Sequence, residues 1–171
     1  KISLDGKVDG KGLERDDISA NIKGAIKNLE FNNYNYQNLT VEGKLAKKVF
    51  RGMLTVRDTN LNMDFNGNVD FNKKIPITDF VSTIKSADLT ALHFVKSKTP
   101  TILSTQLTVN ATGSNEDDLL GDAVIGKTTF MKDGKLYQMD RLNLVSQKEA
   151  NGNHSIFLSS DFLDVTVKGN F

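Results

Sequence analysis

Cysteine is absent from the 171 residues, which excludes disulfides and thiol chemistry and is compatible with an oxidising compartment. Neither sign of charge prevails. Lysine and arginine number 22 against 21 acids, a net charge of +1, so no basic field points to nucleic acid. No apolar run approaches the ~18 residues of a membrane-spanning helix. Proline occurs twice, at Pro76 and Pro100, and each breaks a pattern. The only histidines, His93 and His154, have no neighbouring histidine or acid at metal-ligand spacing. Glu116-Asp117-Asp118 lacks the calcium-loop pattern and reads as a polar turn. G-x-S-x-G, P-loop and dinucleotide fingerprints are missing too. These absences leave no catalytic residue, metal ligand or cofactor site to nominate, and the chain is not expected to be an enzyme.

What is present is alternation. Over residues 61–71 the odd positions read Leu61, Met63, Phe65, Gly67, Val69, Phe71, and the even ones Asn62, Asp64, Asn66, Asn68, Asp70. A period of two puts the apolar side chains on one face of a β-strand and the polar ones on the other. Leu39, Val41, Gly43, Leu45 and then Phe50, Gly52, Leu54, Val56 repeat the pattern, separated by Ala46-Lys47-Lys48 and Arg57-Asp58-Thr59-Asn60. Connections that short allow only antiparallel neighbours.

The rest of the chain follows suit. Ile22, Gly24 and Ile26 alternate near the start, residues 29–36 read as a bent strand or a turn, and Phe80, Ser82, Ile84 and Ser86 alternate after Pro76. Residues 87–92 could form one helical turn with Asp88 as N-cap. Leu107, Val109, Ala111 and Gly113 resume the alternation, and Asp133-Gly134 predicts a type I′ hairpin turn. A parity slip between Met139 and Leu142 suggests a bulge. Alternation through Val165, Val167, Gly169 and Phe171 runs to the last residue. The expectation is an all-β chain of roughly ten strands, residues 1–171 forming a single unit cut from a longer repetitive protein.

Gly24, Gly43, Gly52, Gly67, Gly113 and Gly169 all share the apolar parity of their strands. Glycine within a strand marks a bend or a close approach. Repeated, it would crease the apolar face along one line, or else make room for large residues opposite. The face itself is large. About ten strands with four inward residues of ~30 Å² each make on the order of 1,200 Å², more than a monomer normally exposes. Sandwich, barrel and open curled groove all remain, and pattern alone favours the first two.

The run Tyr34-Asn35-Tyr36-Gln37-Asn38-Leu39-Thr40-Val41-Glu42-Gly43-Lys44-Leu45 resembles the repeats of TamB-type (translocation and assembly module) proteins of the AsmA-like superfamily. So do Phe50-Arg51-Gly52, residues 61–71, residues 87–92, and Gly113 followed by Glu116-Asp117-Asp118-Leu119-Leu120-Gly121. The resemblance implies a U-shaped antiparallel sheet, a β-taco, with an apolar inside. It implies a periplasmic place in a protein anchored to the inner membrane elsewhere, and a part in carrying phospholipid to the outer membrane. Outer-membrane assembly proteins would be partners of the full-length chain. On that reading Ile22, Ile26, Val41, Leu45, Leu54, Val56, Met63, Phe65, Val69, Phe71, Leu107, Val109, Val165 and Val167 would solvate acyl chains, with the six glycines at the crease. The competing expectations are a structural or adhesive β-sandwich of the cell envelope, and a scaffold that templates strands of membrane proteins along its edge.

Overall fold

The computed structural model describes residues 2–11, 19–70, 72, 77–112 and 120–169, the side chains of residues 2–11 and 77 excepted. Eleven strands form one antiparallel sheet whose spatial order is the chain order. The first four are β1 (Ile2–Lys11), β2 (Ser19–Phe31), β3 (Tyr34–Ala46) and β4 (Val49–Arg57). β5 (Leu61–Asp70), β6 (Ile77–Asp88) and β7 (Thr101–Thr112) follow. β8 (Leu120–Lys132), β9 (Lys135–Lys148), β10 (His154–Ser160) and β11 (Asp164–Gly169) complete the meander. β1 and β11 are free edges, so the sheet is not a barrel. Nor is it divided into the two sheets of a sandwich. The fold is an open, curled meander.

Short polar turns make the meander possible. Residues 29–36 are a hairpin, with Asn32 (φ 50°) and Asn33 (φ 58°) as the turn, rather than a bent strand. Asp133 (φ 50°) and Gly134 (φ 73°) form the expected primed turn between β8 and β9. Lys47 and Lys48 adopt the same left-handed pair, at φ 48° and 61°. Backbone twist in such turns matches that of the strands they join, which is why two residues suffice.

The bulges fall elsewhere than the sequence pattern suggests. β8 and β9 keep one register from Gly121↔Ser146 to Lys132↔Lys135. The irregularity lies on the other side of β8, against β7, between Ser104 and Gln106, with Lys127 at φ 49°. β9 slips in step with β8, and Asp161 Oδ2 accepts the freed amides of Asp140 (2.5 Å) and Arg141 (3.3 Å). A second bulge in β6 turns Ser86 outward and brings Ala87 into the core. Each bulge adds local twist and bends its strand.

Residues 89–100, between β6 and β7, fold back over the apolar face. Asp88 Oδ1 accepts the amides of Thr90 (3.0 Å) and Ala91 (3.1 Å), and Leu92 N donates to Asp88 O at 2.9 Å. That is the expected N-cap, heading a single turn that goes no further. Leu92, 1% exposed, packs with Tyr36, Leu39, Val56 and Ala87, and these five form the buried core cluster. Asn32 Nδ2 donates to Leu92 O (3.1 Å), and His93 Nδ1 lies 3.1 Å from Asn32 O. The segment therefore crosses from β6 back to the β2–β3 turn.

Candidate functional site

The cross-strand register places the inward residues in transverse rows. Ala20, Leu45, Phe50, Val69, Thr78, Ala111, Gly121, Ser146, Ile156 and Val167 face one another in turn from β2 to β11. Beside them run Ile22, Gly43, Gly52, Gly67, Phe80, Val109, Ala123, Leu144, Leu158 and Val165. The third row is Gly24, Val41, Leu54, Phe65, Ser82, Leu107, Ile125, Leu142 and Ser160. The fourth is Ile26, Leu39, Val56, Met63, Ile84 and Thr105. Thirteen of the fourteen residues nominated for acyl chains thus share one face, and Phe71 lies outside the described residues.

Burial along these rows is uneven. Leu39, Val56 and Val41 are sealed, under and beside the segment that carries Leu92. Ile22, Ile26, Leu45, Leu54, Met63, Phe65, Val69, Leu107 and Val109 are only half-buried. Leu144, Val165 and Val167 are exposed, the last at 47%. The apolar face is therefore covered in one part and open towards β11. Phe65 and Phe80, 5.2 Å apart between ring centroids, form an aromatic step in its middle.

Gly43, Gly52 and Gly67 are direct register partners on three adjacent strands. A Cβ on Gly43 would lie 2.6 Å from Arg51 O, 2.9 Å from Gly52 Cα and 3.0 Å from the Phe50 ring. On Gly52 it would meet Glu42 O and lie 2.5 Å from Gly43 Cα; on Gly67 it would lie 2.5 Å from Phe80 Cα. Most of these atoms are backbone of the neighbouring strand, so the three glycines let adjacent strands close up along one line. Gly24 stands one row away, opposite Gly6, while Gly169 pairs with His154 at the far end of β10. Gly113 lies outside the described residues.

The sequence pattern missed part of this face. Ile125 and Leu142 sit on the far side of their strands' parity slips, so neither strand shows one clean alternation. Leu89 and Leu92 belong to the covering segment, whose place over β3 and β4 has no periodic signature.

Hydroxyl side chains such as Ser82 and Thr105 join the rows, but no charged side chain does. Lys23 pairs with Glu42 at 3.0 Å on the outside. Asp64 Oδ1 accepts from Arg57, which holds its carboxyl below the usual range, with the charges of Arg57 and Lys85 adding to the effect. At the turn end, burial foremost, then the hydrogen bond it donates to Asp58 Oδ1 (2.5 Å), raises the Tyr34 phenol. Among the described residues no three His, Cys, Asp or Glu side chains converge as metal ligands would. Glu116-Asp117-Asp118 lies outside the described residues. The arrangement offers an apolar trough with an aqueous back. No family model, curated protein or solved structure matches this chain.

Proposed function

We propose that this chain is a segment of a lipid-conducting groove, a passive conduit rather than an enzyme. Phospholipid acyl chains lie against the half-buried rows, and headgroups stay at the rims. One observation carries the reading. Among the described residues, the apolar face of an eleven-stranded sheet has a cover over part of β3 to β6 and none over Leu144, Val165 and Val167. Apolar surface left open to water costs about 25 cal/mol per Å², which a bound acyl chain would recover. The resemblance to TamB-type proteins supplies the setting: the periplasm, a parent protein anchored in the inner membrane, and partners in outer-membrane biogenesis.

Native mass spectrometry of protein made in cells tests this, with phospholipid expected to co-purify. Phe65→Asp is expected to remain folded by circular dichroism and to lose the lipid, because an aspartate in an emptied, water-filled trough need not be desolvated. Asn66→Asp, on the exposed back, is the control and should keep the lipid. A folded, lipid-free wild-type chain would reject the reading.

A further inference from the structure

The turn end of the sheet carries an apolar rim that the groove does not use. Phe31 and Phe94 are each more than half exposed, with ring centroids 6.5 Å apart, at the ends of the β2–β3 and β6–β7 connections. Leu136 (60%) and Tyr137 (55%) are equally bare at the β8–β9 tip, beside Met131. Hydrogen bonds tie the three turns together. Asn32 is bonded to Leu92 and His93, and Thr99 Oγ1 donates to Asp133 Oδ1 at 2.5 Å.

Charge on this rim is sorted by how it is used. Asp58 accepts from Tyr34, Gln37 and Asn60, and Asp133 from Thr99, so these acids are engaged within the turns. Lys96, Lys98, Lys132 and Lys135 are exposed and have no ion pair among the described residues. Bare aromatic and aliphatic side chains interleaved with unpaired lysines suit the interface of a bilayer. There the rings sit at headgroup depth and ammonium groups meet lipid phosphates.

We propose that the rim formed by turns 32–33, 89–100 and 133–134 docks on the surface of a phospholipid bilayer that contains anionic lipid. Docking through the rim does not depend on whether the trough carries lipid. The structure also supplies a control. Ser160 pairs with Leu142, seven residues short of Lys135, so Phe162 lies roughly 15–20 Å behind the β8–β9 tip. Insertion of about 5–10 Å would not reach it. Phe162 is the most exposed of the large apolar side chains described, at 75%, so depth rather than apolarity separates it from the rim.

The chain contains no tryptophan, so Phe94→Trp, Leu136→Trp and Phe162→Trp each provide a sole indole. With vesicles of phosphatidylcholine and phosphatidylserine, the first two should shift to the blue and be quenched by brominated acyl chains, while the third stays unchanged. Partitioning should fall at least about fivefold on phosphatidylcholine alone, and at least about tenfold with Lys132→Glu and Lys135→Glu combined. Vesicle binding should survive Phe65→Asp, which separates this proposal from the preceding one. Silence at both rim positions, an equal response at Phe162→Trp, or a blue shift without vesicles that tracks self-association in light scattering would each overturn it.

Discussion

Replacing Gly52 by alanine adds a single carbon, and the structure says what that carbon meets. Its Cβ would press on Glu42 O and lie 2.5 Å from Gly43 Cα, both in the backbone of β3. An ordinary contact begins near 3.4 Å, so β3 and β4 must part by about 0.9 Å at this point. A side chain could rotate away, but a strand held on both sides by its ladders cannot. Crowding of this kind costs ~1–3 kcal/mol, and loosening one ladder hydrogen bond adds ~0.5–1.5. Alanine restricts the unfolded chain and returns ~0.4–1 kcal/mol. The net expectation is a loss of about 1–3 kcal/mol. With a urea m-value of ~2 kcal/mol/M, the midpoint should fall by about 1 M. Gly126 is the matched control, since the nearest atom to its Cβ is Asp140 O at 3.8 Å. Gly126→Ala should be neutral or stabilising by up to ~1 kcal/mol. Equal midpoints for the two variants would refute close strand approach as the reason for glycine at Gly52.

Two further outcomes follow from the packing and the charges. Leu92→Ala should destabilise by ~2–5 kcal/mol, and hydrogen exchange should speed up at the amides of Phe94 and Val95, which bond to Leu89 O; unchanged protection there would deny the segment its anchor. The Asp64 carboxyl titrates below its unfolded value in the folded chain, so its contribution is present above about pH 4 and lost as pH falls through the folded value. Solvent limits this half-exposed pair to ~0.5 kcal/mol, and Arg57→Met should flatten the acid limb of the stability curve by that amount in urea titrations.

Strand identity was legible because alternation is a local property. Residues 61–70 and their neighbours in β3 and β4 declare one wet and one greasy face without reference to any partner. The alignment of Gly43, Gly52 and Gly67 was not legible, since it depends on turn lengths and on how many residues each strand inserts. Lys127 shows the difficulty. Nothing in Gly126-Lys127-Thr128 announces a left-handed residue, and the bulge exists because β7 presents one residue fewer there. Lys47 and Lys48 likewise hold positive φ, at ~1–2 kcal/mol each, where asparagine or glycine would be the usual signal. The covering segment escaped for another reason. Its N-cap is readable in Asp88, but the place where Leu92 lands is set by tertiary packing.

The strictly sequential strand order has a consequence for how the molecule comes apart. Every ladder joins a strand to the one just before or after it, so most of the sheet behaves as a linear array whose stability is a sum of neighbour terms. Contacts are local in sequence, which favours rapid assembly hairpin by hairpin. The bond between Asn32 and Leu92 breaks that rule by spanning 60 residues. It makes β2 to β6 answer to one another as a block, and the bond between Thr99 and Asp133 extends the tie to the β8–β9 turn, while β10 and β11, at the end of the ladder, can fray one hairpin at a time. A single chain thus combines a cooperative knot with a zipper, and damage at the zipper end need not be felt at the knot.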